Sequence, residues 1–136
     1  MVTPEAINAM LAEAWPVARV RCTAVDATSA EAALDIIEDD VRPGAIISGP
    51  SQFAIADAAL WFLVHGAAGQ ILPMAVTSEL SLRFLRPATG ERMYARAELE
   101  RMGSRTLVGS VRIWAQNGPE APSAIGQATY ALPRRN

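Results

Sequence analysis

The spacing of apolar and polar positions changes character along the chain. From Phe53 to Val64 every residue except Asp57 is apolar, with no alternation. Opened by Ser48-Gly49-Pro50 and followed by Gly66 as its stop, this run predicts a helix over about 50–65. A helix that is apolar all round is normally buried, so it should form the centre of the molecule. Beyond it the period becomes two. Met74, Val76, Leu80, Leu82 and Phe84 alternate with Thr77, Glu79, Ser81 and Arg83, which predicts a strand with one buried face. Turn signals at Pro87-Ala88-Thr89-Gly90, Gly103-Ser104 and Asn117-Gly118-Pro119 divide the remainder into strands over about 92–102, 106–116 and 123–132.

Ahead of the central helix the pattern is weaker. Thr3 followed by Pro4 has the form of an N-cap with proline at the first helical position, predicting a helix over about 3–15. Ala18 to Asp26 reads as a strand. Ala30 to Ile37 reads as a second one, although its alanines also suit a helix. Turns are marked at Arg42-Pro43-Gly44 and again at Ser48-Gly49-Pro50. The order is helix, two strands, one long apolar helix, then four strands joined by short turns. That order favours an antiparallel sheet and an α+β fold.

Length and composition narrow the chemistry. At 136 residues a single domain over 1–136 is expected. The lone Cys22 excludes an internal disulfide and is read as a small buried residue. With His65 as the one histidine, there are too few of these ligands for a zinc site, and no metal is expected. All twelve basic residues are Arg, so neither Schiff-base chemistry nor a Walker A loop is available. A formal net charge of −2 leaves no footprint for nucleic-acid binding. The first residues lack the basic and apolar regions of a secretory signal, and the apolar run is shorter than the roughly 20 residues of a membrane span. A soluble, cytoplasmic protein without a membrane partner is the expectation.

Within this frame Asp57 stands out. It has no basic neighbour one turn away on the helix, and burying an unpaired carboxylate costs several kcal/mol unless donors come from elsewhere. Such a residue is a candidate for function. The helix entry is a second candidate, because free N–H groups at a helix N-terminus can hold a developing oxyanion. Pro50 has no N–H, which leaves Gly49 and Ser51 as donors. His65, near the end of the helix, would favour the helix dipole as a cation. Trp61 and Phe62 read as core or interface packing, and the packing of Trp61 sets the depth of any pocket beside Asp57.

The stretch from Arg42 to Ala88 resembles the PaaI-type thioesterases of the hot-dog superfamily. The likeness is carried by the turn Ser48-Gly49-Pro50, the "LAD"-like Ile55-Ala56-Asp57, the stretch Thr77-Ser78-Glu79-Leu80 and the box Phe84-Leu85-Arg86-Pro87-Ala88. Gly103-Ser104-Arg105 is similar to a hairpin that carries Gly and basic residues in relatives. The order of strands extends the likeness over roughly 17–132. The resemblance implies a hot-dog fold, a long antiparallel sheet wrapped around a central helix. It also implies a homodimer, often doubled to a tetramer, with active sites at the dimer interface. The implied activity is hydrolysis of an acyl-CoA thioester, with no cofactor beyond the coenzyme A of the substrate. By position, Asp57 would be general base or nucleophile, the Gly49 N–H would bind the carbonyl oxygen, and Thr77 would assist the water. Ser48 stands where many relatives have His, and its hydroxyl can donate a hydrogen bond. Arg42 stands where many have Asn or Gln, and it could bind a carboxylate or phosphate. Ser51 and Trp61 would contact the substrate, and Arg86 and Arg105 could hold its phosphates. The departures at Ser48 and Arg42 leave two alternatives, a hot-dog protein that binds acyl-CoA without turnover and a structural hot-dog subunit.

Overall fold

The computed structural model describes residues 1–134. Helix α1 spans Pro4–Ala14 and begins as the sequence predicts, with Thr3 Oγ1 accepting from the Ala6 N–H at 3.1 Å. Asn8 ties it down. Its side chain accepts from the Cys22 N–H (2.8 Å) and donates to the Cys22 carbonyl (2.9 Å), so α1 is fixed to the first strand. That strand, β1 (Arg21–Val25), and its partner β2 (Ser29–Asp35) meet at a turn where Asp26 Oδ1 accepts from the Thr28 and Ser29 N–H groups. The alanine-rich segment is therefore a strand. Ala30, Ala32 and Leu34 are buried, and side chains this small let the central helix lie close.

A 3₁₀ turn at Glu38–Asp40 and a short ladder of β3 (Val41–Arg42) with β4 (Ile46–Ile47) occupy the segment that the sequence marks only with turn residues. Helix α2 then spans Gly49–Ala68, and four strands follow: β5 (Val76–Phe84), β6 (Arg92–Met102), β7 (Thr106–Trp114) and β8 (Ala124–Ala131). The main sheet has the order β1-β2-β6-β7-β8-β5, antiparallel throughout. It wraps α2, which rests mainly on β2, β6 and β7. This is the hot-dog arrangement. Among the described residues no helix is long and apolar enough to cross a membrane.

Three sequence expectations are corrected. Gly66 is not the stop of α2. The helix continues to Ala68 and ends at Gly69, whose φ of 70° is the left-handed conformation that closes a helix. Gly66 serves a close approach instead, since a Cβ there would lie 2.2 Å from the Asp26 carbonyl oxygen. Strand β5 buries its alternating face only in part. It is the far edge of the sheet, where Leu80 and Leu82 are half-buried against the core while Val76 and Phe84 are exposed, as is Met74 just before it. His65 is not a cation at a helix end. It is fully buried, and its Nδ1 accepts from the Leu72 N–H at 3.0 Å, which secures the chain leaving α2.

Burial pushes the His65 pKa down from 6.5 to about 4. The folded imidazole stays neutral until about pH 4, while the unfolded one takes a proton near 6.5. Stability is therefore full above pH 6.5 and falls as pH drops towards 4, by about 1.4 kcal/mol per pH unit from this residue. His65→Asn keeps an acceptor without the titration. Urea unfolding at pH 7 and pH 5 should show wild type losing about 2 kcal/mol more than the variant. Equal losses would contradict the assignment.

Candidate active site

A cavity of about 860 Å³ runs along the face of α2 that the sheet leaves uncovered. Asp57, Ala58 and Trp61 line it from α2, Leu11 from α1, and Thr77 and Tyr130 from the sheet. Most of this lining is apolar. Asp57 is half-buried against it, and no ion pair among the described residues involves it. Two hydroxyls take the place of a cation. Thr77 Oγ1 donates to Asp57 Oδ1 at 2.6 Å. Tyr130 Oη donates to the same Oδ1, and it also reaches the Asp57 main-chain carbonyl at 2.9 Å. These donors offset the desolvation that an apolar helix imposes on a carboxylate.

The sheet brings the two donors together. Thr77 and Tyr130 are directly opposite on β5 and β8, and a register shift between Thr77 and Glu79 bends β5 at this point. Tyr130 is buried. Burial first, and then its bond to the Asp57 carboxylate, pushes its hydroxyl well above the usual tyrosine range, so it remains a neutral donor. Tyr130 is absent from the sequence candidates. A signal for it exists: it follows Ala124 and Ala128 in the buried series of β8, and a buried tyrosine hydroxyl needs a partner.

The entrance of α2 forms a second centre. Ser48 caps the helix, its Oγ accepting from the Ser51 N–H at 3.2 Å and donating to Ser51 Oγ at 3.1 Å. Ser51 Oγ donates in turn to the buried Asp40 carboxylate at 2.7 Å. Asp40 also accepts from the Ile37 N–H (2.9 Å) and the Arg19 guanidinium (3.0 Å), and its own carbonyl accepts from the Ser48 N–H (2.7 Å). Burial opposes the ionisation of Asp40. The Ile37 N–H, Arg19 and Ser51 outweigh it and hold the carboxyl below the usual range. Both Ser51 groups are thus committed to the cap. The Gly49 N–H belongs to the first helical residue, which has no intrahelical partner. Gly49 faces a second cavity of about 390 Å³, shared with Gln52, Phe84 and Arg86.

The remaining candidates divide between the two ends of β5. Arg86 lies at the Gly49 end and donates to the Pro122 carbonyl at 2.8 Å. Arg105 lies at the Asp57 end, since Thr106 pairs with Ala131 and Ala131 with Val76, one step from Thr77. Arg42 is exposed on β3 and lines neither cavity. Trp61 lines the Asp57 cavity, its ring 5.0 Å from that of His65.

Within one chain Asp57 and Gly49 face different cavities. Eight helical steps separate them by about 12 Å along the axis and about 80° around it. They cannot act on the same carbonyl group.

The sequence profile of the thioesterase superfamily matches residues 44–122. Among solved structures, a candidate thioesterase from Silicibacter sp. TM1040 is 31% identical, over 98% of this chain and 93% of its own, with a TM-score of 0.85. A thioesterase from Haemophilus influenzae shares the fold at 16% identity, over 98% of this chain and 92% of its own, with a TM-score of 0.83. A mutant of the phenylacetic acid degradation protein PaaI from Thermus thermophilus does so at 18% identity, over 91% and 99%, with a TM-score of 0.72. No curated protein matches. The matched span takes in the entrance of α2, the Asp57 carboxylate on its uncovered face and Thr77, one of the two hydroxyls that hold it; the chain belongs to the thioesterase superfamily.

Proposed function

We propose that the protein hydrolyses an acyl-CoA thioester in a site built from two copies of the chain. The observation that carries this reading is the cavity at Asp57, where a carboxylate without a cationic partner faces an apolar space. Asp57 of one copy would work with the Gly49 N–H of the other, because one chain keeps them apart. The exposed edge of β5, with Phe53 and Phe84 beside it, supports a second copy as the cover of this face. A dimer of dimers is compatible with the same contact.

In the reaction Asp57 takes a proton from water as its oxygen adds to the thioester carbon. The carbonyl oxygen becomes an oxyanion held by the Gly49 N–H. Collapse breaks the C–S bond, and the leaving thiolate takes the proton from Asp57. The products are a carboxylic acid and free coenzyme A, which enters as part of the substrate. The acyl group lies along α2 towards Trp61. Arg105, at the Asp57 end, and Arg86, at the Gly49 end, are placed to meet the phosphates of coenzyme A. With such a substrate the protein would work in the cytoplasm.

An Asp57 carboxylate bonded to hydroxyls and open to a cavity argues against the purely structural alternative, which calls for an Arg such as Arg42 closed upon it. The test is a panel of acyl-CoAs, from short aliphatic to aromatic, assayed for released thiol. Saturable turnover of at least one is expected. Saturable binding without thiol release across the panel would overturn the reading in favour of a binding protein.

A further inference from the structure

We infer that Tyr130 is a positioning residue of the Asp57 site: with Thr77 it occupies Oδ1 of the carboxylate and reserves Oδ2 for the proton of the attacking water. The inference rests on the thioesterase reading and assigns the two carboxylate oxygens different tasks. A carboxylate offers two oxygens and about four acceptor positions. Here both described side-chain donors converge on one oxygen, and they come from facing positions of adjacent strands. Oδ2 has no donor among the described residues. A base acts through the oxygen whose lone pairs are free, and its rate depends on how narrowly that oxygen is aimed.

An ordinary structural role would not need this geometry. The Tyr130 hydroxyl carries one proton, and a structural tyrosine would need only the Asp57 main-chain carbonyl at 2.9 Å to place it. The shorter contact is to Oδ1, so the proton goes chiefly to the carboxylate while the carbonyl of the same residue lies within reach of the same hydroxyl. That double contact limits rotation of the Asp57 side chain. Tyr130 is 2% exposed, so the hydroxyl is carried on a rigid support. Its persistence as a neutral donor means the clamp does not titrate over the working pH range.

The test is Tyr130→Phe, which removes the hydroxyl and keeps the ring, assayed on the best substrate of the acyl-CoA panel. A 10- to 100-fold fall in kcat is expected, with KM within about twofold and a modest fall in melting temperature that leaves the variant folded at the assay temperature. The decisive measurement is a cycle with Asp57→Asn. Because Tyr130 acts through Asp57, adding Tyr130→Phe to that background should leave the residual rate where it was. Should Tyr130→Phe not fold, Thr77→Val on the exposed strand carries the same cycle. An active wild type whose kcat survives Tyr130→Phe, or an equal loss in both backgrounds, overturns the inference alone. A wild type without turnover overturns the thioesterase reading and the inference with it.

Discussion

Asp57→Asn is expected to lower kcat by about 10³-fold while leaving KM and the unfolding midpoint close to wild type, since a well-placed general base contributes roughly 10²- to 10⁴-fold. The substitution isolates basicity. Asparagine keeps the size of the side chain, and its amide oxygen can accept from Thr77 and Tyr130 where Asp57 Oδ1 does now. It cannot take a proton from water at neutral pH. Asp57→Ala would be less informative, because it removes the carboxylate acceptor shared by Thr77 and Tyr130, opens a gap beside them and mixes a stability loss into the result. The measurement is steady-state thiol release together with thermal unfolding. A variant that keeps more than a tenth of wild-type kcat would remove Asp57 from the chemistry. A variant whose rate falls only because KM rises would make Asp57 a substrate contact instead.

How far the sequence carried this picture varies by element. The strands from β6 to β8 are legible, because their period-two patterns lie between strong turn signals and both ends are defined locally. Ala30 to Ile37 is ambiguous, because alanine suits helix and strand alike, and the decision comes from pairing with β1 and β6. Gly66 misleads for a tertiary reason: glycine at a helix end and glycine beneath a crossing backbone look the same in one dimension, and only the Asp26 carbonyl tells them apart. The exposure of β5 belongs to the same class, since an alternating strand buries its face only where another layer covers it. At the site, Asp57 is legible as a charge inside an apolar run. The Thr77 and Tyr130 hydroxyls that hold it are 20 and 73 residues away, so their meeting depends on sheet register and has no local signature. The same is true of Asp40, whose bonds to Arg19 and Ser51 bring together three separate segments at the entrance of α2.

Gly49→Pro provides the sharpest test of the two-copy site, because it deletes the one N–H assigned to the oxyanion. Position 49 is the first residue of α2, where the fixed φ of proline suits the helix; Pro50 follows it, so the variant is first checked for wild-type unfolding. Ser48 before it is extended, with φ −70° and ψ 155°, which is the conformation a residue preceding proline prefers. A Cβ at Gly49 would lie 3.6 Å from Phe84 Cζ, an ordinary contact. The Ser48 cap and the Ser51 bond to Asp40 do not use the Gly49 N–H and should persist. Loss of an oxyanion donor lowers kcat by about 10²- to 10³-fold, so the homogeneous variant should be nearly inactive yet folded. Mixing it with Asp57→Asn then separates the two architectures. If each site takes Asp57 from one copy and Gly49 from the other, a mixed dimer holds one doubly altered site and one intact site. Random exchange of subunits through unfolding and refolding yields half mixed dimers, and the mixture should recover about a quarter of wild-type activity. If both groups served one chain, no mixture could exceed the residual rates of its two components. Activity that stays at that residual level, with mixed dimers present by differential tagging, would refute a shared site.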